Sequence, residues 1–297
     1  MDESGNLHES DLIRLIHEQD ASLNGIVLLG STGEALNLTL QERKRVVEVA
    51  LSVQRSTKII VGVGGHDLQA TLEWLNWLES QPIDGYLMVT PIYAKPGEEG
   101  QYHWFKTLLD AVTRPSMIYN VPGRTSVSLN ERAIARLIDH PNFEAVKESS
   151  GSVDRMVIYR DSATKQHILC GDDPLMGEFA LNGAHGLVSV ASNVWPTETQ
   201  AYVLLALQQR LNLVDLNLWK QATNALFTAS NPIPTKALLA SESRISSDAV
   251  RLPLHKDDFK KLNELKNWAA KIRLWYENCR YSGRLDEIDH LNIGNAS

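Results

Sequence analysis

The apolar run Phe143-Glu144-Ala145-Val146-Lys147 ends in a lysine and leads straight into Glu148-Ser149-Ser150-Gly151. Read as a strand, it carries a primary amine to its C-terminal tip among apolar neighbours. Burial disfavours an ammonium, so an amine kept there loses its proton more easily. A neutral amine can then add to a carbonyl and form a Schiff base. The alternative is a lysine that merely ends a strand and points to water.

Other reactive groups fall in comparable places. Gly30-Ser31-Thr32-Gly33-Glu34 sets two hydroxyls between glycines, where backbone can approach an anion closely. A plain Gly-rich turn ahead of a helix has the same composition. Thr90-Pro91-Ile92-Tyr93 and Ile118-Tyr119-Asn120-Val121-Pro122-Gly123-Arg124-Thr125 each sit at the end of an apolar run. Tyr119 is a phenol able to carry a proton. Arg124, five positions on, is a guanidinium suited to gripping a carboxylate through two parallel hydrogen bonds. Gly171-Asp172-Asp173 reads as a turn and helix cap rather than a metal site.

Positioning these groups together requires strands that end side by side. Seven compact apolar runs qualify, at 25–29, 58–63, 85–89, 116–119, 143–147, 167–170 and 186–190, each bounded by Gly, Pro or polar residues. Amphipathic stretches separate them. Thr39-x-x-Glu42 and Ser128-x-x-Glu131 have the form of capping boxes and predict helices over about 40–54 and 129–138. Strand–helix alternation at this spacing predicts an α/β fold with a parallel sheet, and the active groups then belong at the C-terminal ends of its strands.

A (β/α)8 TIM barrel has eight strands. This chain opens on a loop-like Asp2-Glu3-Ser4-Gly5-Asn6 and then a helix at about 10–19. The expectation is a barrel whose first strand is missing from the N-terminus, with an open seven-stranded sheet as the alternative. Residues 1–210 would form the barrel and 211–280 a helical appendage packed on it, with Leu262, Leu265, Ala269 and Ile272 at helical spacing. Residues 281–297 read as a polar, frayed tail.

Composition narrows the functional classes. The 297 residues are 43% hydrophobic with a net charge of -7, which argues against a nucleic-acid partner because such proteins carry a basic face. No apolar run has the length of a membrane span, and the acidic start is unlike a signal or transit peptide. Cys170 and Cys279 are lone thiols, which suits a reducing cytoplasm. The nine histidines form no zinc-ligand pattern. Gly62-Val63-Gly64-Gly65 does not fit the dinucleotide fingerprint, and there is no P-loop, so neither a nicotinamide cofactor nor a metal is expected.

Gly30–Glu34, Tyr119-Asn120-Val121-Pro122, Val146-Lys147-Glu148, Gly171-Asp172-Asp173 and Asn231-Pro232-Ile233-Pro234 occur in an order that resembles the N-acetylneuraminate lyase/dihydrodipicolinate synthase family of pyruvate-dependent class I aldolases. The resemblance extends from Asp2 to about Pro253. It implies that Lys147 forms an imine with pyruvate and that Tyr119, Thr32 and Tyr93 make a proton relay, with Tyr93 entering from a neighbouring subunit of a homodimer or homotetramer. It implies that Arg124 binds the carboxylate of aspartate semialdehyde, and that Ser31, Gly171 and Val188 line the pyruvate pocket. No cofactor is implied, because the lysine is the covalent handle.

Arg124 favours the synthase activity, which makes 4-hydroxy-tetrahydrodipicolinate for lysine and diaminopimelate biosynthesis. The alternatives are an N-acetylneuraminate lyase-like or 2-keto-3-deoxy sugar-acid aldolase and, ranked lower, an inactive relative. Ser31 departs from the synthase pattern, where a second threonine is more usual, but keeps a hydroxyl. The positions matching a lysine-feedback site in some members are Ala35, Leu36, Leu40, His66, Ala70 and Ile92. Sensitive members have a glutamate at the position of Ala70 and a tyrosine at that of Ile92. Without that carboxylate an effector ammonium is left unpaired, so the resemblance implies weak or absent feedback.

Overall fold

The computed structural model describes residues 1–286. In chain order the elements are α1 (Glu9–Ala21), β1 (Ile26–Leu28), α2 (Leu40–Ser52), β2 (Ile59–Val63), α3 (Leu68–Glu79), β3 (Gly85–Val89), α4 (Glu98–Asp110), β4 (Ser116–Asn120), α5 (Pro122–Thr125), α6 (Glu131–Ala135), β5 (Phe143–Glu148), α7 (Val153–Ser162), β6 (His167–Cys170), α8 (Met176–Leu181), β7 (Gly186–Leu187), α9 (Pro196–Leu207), α10 (Leu213–Ala225), α11 (Ile233–Ser241) and α12 (Leu262–Tyr281). The strands pair in parallel and in sequence order, β1 through β7.

Side chains alternate across the sheet as the strand repeat of two demands. Ile59, Val61, Met88, Ile118, Val146 and Ile168 face outward and join the large core beneath the helices. Leu87, Met117, Tyr119 and Ala145 face inward, and Val27 beside β1 and Val188 just after β7 pack on the same interior cluster. A flat sheet could not bring both outermost strands to one cluster. The sheet is therefore curled into the wall of a partial barrel, which decides between the two expected architectures. Among the described residues it has seven strands, with β1 and β7 at its edges.

Local signals explain most boundaries. The Thr39 box is formed: Thr39 Oγ1 accepts from Glu42 N at 3.2 Å, and the Glu42 carboxylate accepts from Thr39 N at 2.9 Å. The second expected box is not. The Asn130 side chain caps α6 by accepting from Arg132 N and Ala133 N, and the Ser128 carbonyl is engaged by Gln101 Nε2. That helix consequently starts later and is shorter than expected. β7 stops at Leu187 rather than at residue 190 because the Val190 and Ala191 amides turn to the Asp173 carboxylate.

The region after residue 211 is helical, as expected, and is anchored by aromatics. Trp219 stacks on Tyr202 of α9 with ring centroids 4.1 Å apart, and Trp275 Nε1 donates to Asp215 at 2.8 Å. Of the expected polar tail, residues up to 286 are held, with Arg284 donating to Asp215 at 2.6 Å. Residues 287–297 lie outside the described part. No helix among the described residues is long and apolar enough to cross a membrane.

Glu42 also ties α2 to the chain near residue 251, because Arg251 donates to its carboxylate through both terminal nitrogens. Those bonds, with the Thr39 amide, hold the Glu42 carboxyl at about 2, below its ordinary 4.5. A carboxyl depressed in the folded state stabilises the protein above its unfolded value, and that stability is lost as pH falls from about 4.5 towards 2. Glu42→Gln is expected to lower the thermal midpoint by a few degrees at neutral pH. The deficit should shrink across that acid window, as followed by circular dichroism melts.

Candidate active site

Lys147 is the penultimate residue of β5 and stands in register with Tyr119 of β4. Register and strand alternation point both side chains inward. The Lys147 ammonium lies 4.2 Å from the Tyr119 ring centroid, a cation–π contact. The strand around it is buried, whereas the lysine itself is half-buried at the cavity wall.

The next residue on each strand faces the other way. Asn120 and Glu148 are fully buried, and Asn120 Nδ2 donates to Glu148 Oε2 at 2.6 Å. Glu148 Oε1 accepts from Ser150 N at 2.6 Å, and Asn120 Oδ1 accepts from Leu129 N at 2.8 Å. Burial pushes the Glu148 carboxyl upward, and these hydrogen bonds oppose the shift. The pair staples the loops after β4 and β5 together directly behind Tyr119 and Lys147. The sequence reading assigned neither residue a role. The available signal was alternation: a polar residue following an inward group at a strand tip must be buried on the opposite face.

Gly171, just after β6, lies against the lysine stem. A Cβ there would come 1.9 Å from Ser149 Oγ and 2.6 Å from Lys147 Cε. The expected cap role of Asp172 and Asp173 is corrected by the structure, because neither makes a side-chain hydrogen bond to the short helical turn that follows. Asp172 accepts from Gly151 N at 2.9 Å. Asp173, wholly buried, accepts from Ser189 Oγ, Val190 N and Ala191 N, and so holds the loop beyond Val188. Burial raises both carboxyls, while the positive charge of Lys147 acts in the opposite direction on each.

On the opposite side is the 30–34 turn. Thr32 Oγ1 accepts from Asn231 Nδ2 at 2.8 Å. Glu34, in the left-handed region at φ 52°, pairs with Lys236 of α11 at 2.8 Å. The C-terminal helical region thus forms part of the wall, a contribution that pattern reading could not anticipate because the partners are about 200 positions apart.

Thr32, Ser31, Tyr119, Arg124, Lys147, Gly171 and Val188 all line one cavity of about 1000 Å³, which also runs between the edges of β1 and β7. Arg124, in α5, is exposed at the mouth. Tyr93 is the one candidate that this chain does not bring in. It is 91% exposed, in the left-handed region at φ 67°, and it does not line the cavity.

A parallel barrel wall with a lysine and a tyrosine side by side at its strand tips defines an α/β-barrel enzyme with a covalent amine handle. The sequence matches the Dihydrodipicolinate synthetase family over residues 1–272, and the chain belongs to that family. It is 46% identical over 268 residues to the 4-hydroxy-tetrahydrodipicolinate synthase of Wolbachia pipientis wMel, covering 90% of this chain and 91% of that one. It is 40% identical to the corresponding synthase of Francisella tularensis subsp. novicida, over 94% of both chains. Among solved structures it resembles the chloride-inhibited dihydrodipicolinate synthase of Acinetobacter baumannii complexed with pyruvate, with a TM-score of 0.84 and 31% identity over 91% of this chain and 95% of that one.

Proposed function

We propose that this chain is a carbon–carbon bond-forming lyase that condenses pyruvate with L-aspartate 4-semialdehyde to 4-hydroxy-tetrahydrodipicolinate, in lysine and diaminopimelate biosynthesis. Family membership supports the reaction. The observation that carries the site assignment is the placement of Lys147 beside Tyr119 in a cavity that also presents Arg124.

The Lys147 amine adds to the pyruvate ketone, and loss of water leaves an iminium that draws electrons from the adjacent methyl group. Removal of a methyl proton gives an enamine, whose carbon attacks the aldehyde of the second substrate and makes its oxygen a hydroxyl. The substrate amine then adds to the imine carbon and expels Lys147. Each stage moves a proton, the task of Tyr119 and the Thr32 hydroxyl. Tyr93 belongs to this relay in an oligomer, where its exposed ring would reach a partner's cavity; a homodimer or a dimer of dimers satisfies that requirement. The cytoplasm is the proposed compartment.

Arg124 at the mouth is suited to the carboxylate of the incoming aldehyde. Arg124→Ala is expected to raise KM for aspartate semialdehyde roughly 10- to 100-fold, as the loss of charge-assisted hydrogen bonds implies, with KM for pyruvate little changed. A coupled assay with pyruvate and aspartate semialdehyde, run beside cleavage of N-acetylneuraminate, tests the whole reading. Cleavage without condensation would assign the chain to the sugar-acid aldolases instead.

A further inference from the structure

We infer that Asn231 is a positioning residue that sets the direction of the Thr32 hydroxyl, holding its proton towards the cavity. The inference rests on the reading of Lys147 and Thr32 given above and adds a residue to it. Asn231 opens the Asn231-Pro232-Ile233-Pro234 segment, to which the proposed chemistry assigns nothing.

A threonine hydroxyl has one proton to donate and two lone pairs to accept with. Asn231 Nδ2 donates to Thr32 Oγ1 at 2.8 Å, so one lone pair is occupied and the hydroxyl proton has to point elsewhere. Asn231 is 5% exposed, and its Oδ1 is buried without a hydrogen-bond partner among the described residues. The side chain therefore spends its only hydrogen bond on Thr32. A buried amide with an unsatisfied oxygen costs stability, which a residue there only to fill space would avoid.

The surroundings keep both partners in place. Asn231 precedes α11, and two residues of α11 further fix the geometry: Ile233 N donates to the Ser230 carbonyl, and Lys236 is paired with Glu34 in the same turn as Thr32. The turn and the start of α11 are thus joined at two points, one buried ion pair and one directional hydrogen bond. The ion pair sets the distance, and the amide sets the polarity. With the donor fixed, Thr32 can pass a proton inward and recover one from the cavity side, as a relay requires.

The test exploits chemistry in which shape and polarity part company. Asn231→Asp is nearly isosteric, but an ionised carboxylate only accepts; it would draw the Thr32 proton towards itself and away from the cavity. Asn231→Ala removes the donor and leaves the hydroxyl free to turn. The expected order of kcat is wild type, then N231A, then N231D. N231D should fall roughly 10- to 100-fold, a part of what a positioned proton carrier contributes, with KM for pyruvate little changed. Its kcat should recover as pH falls, because a protonated aspartic acid can again donate. In a Thr32→Val background, neither substitution should cause further loss.

A packing role predicts the reverse order, with N231A worse than N231D and no recovery in acid, and that result would overturn the inference. So would an undiminished N231D penalty in the Thr32→Val background. Should N231D fail to fold, the comparison of N231A with the T32V/N231A double variant decides by the same non-additivity. Borohydride trapping of wild-type protein with pyruvate keeps the two layers separate. Failure to trap removes the Lys147 reading and this inference with it, whereas trapping together with unimpaired N231D turnover removes this inference alone.

Discussion

Lys147→Arg protein is expected to fold, to bind pyruvate weakly and to form no covalent adduct with it. The guanidinium keeps a positive charge against the Tyr119 ring, where the ammonium now lies 4.2 Å from the centroid, so the local electrostatics survive. It cannot supply a neutral primary amine, because arginine stays protonated at any workable pH. Without the covalent handle there is no iminium to acidify the methyl group. The loss in kcat/KM should be roughly 10⁵-fold or more, the scale seen when an enzyme's nucleophile is removed. Wild-type protein treated with pyruvate and borohydride should gain one reduced adduct per chain on the peptide containing Lys147, detectable by mass spectrometry. An adduct on another lysine, or condensation retained in the variant, would refute the assignment.

Gly171→Ala should be nearly as damaging while touching no reactive atom. The added methyl would sit 2.6 Å from Lys147 Cε and 1.9 Å from Ser149 Oγ, inside the range that real contacts allow. Ser149 can be spared by a companion change. The lysine stem cannot, because it is fixed between the strand and the cavity, so its amine moves. A displacement of this size costs on the order of 100-fold when reacting atoms must meet in a near-attack geometry. The expected signature is a fall in kcat and in the rate of borohydride trapping, with a melting temperature close to wild type. Ser149→Gly combined with Gly171→Ala relieves the first clash only and should stay impaired. Recovery in the double variant would show that Ser149, and not the lysine stem, was the obstacle.

Much of this was legible before any coordinates, for physical reasons that also explain the gaps. Parallel strands buried on both faces leave compact apolar runs, so β3 and β6 were found with their observed bounds. The Thr39 box was found because both of its partners are local. The Ser128 box failed because a neighbour four residues before the helix competes with more distant donors such as Gln101. In the same way, Asp173 looked like a cap in one dimension and proved to hold the loop after β7 in three. Strand tips carry a strong prior for chemistry in a barrel, which is why Lys147, Tyr119, Arg124, Thr32 and Gly171 could be named. Asn120, Glu148 and Asn231 could not, since each acts through contacts that only the closed wall creates. Tyr93 remains a residue whose neighbours lie outside a single chain.

The join between the 30–34 turn and the start of α11 has a bearing on how the protein comes into being. Thr32 and Asn231 are 199 positions apart, and Glu34 and Lys236 are 202. Contacts of such separation form late and slow folding, because the loop between them must be closed first. During synthesis the turn leaves the ribosome early and has no counterpart until α11 has been made. A nascent chain can thus pack several of its strands while its lysine is still without a competent neighbourhood. Catalytic competence arrives with the last third of the chain, as an event of chain closure rather than of strand pairing.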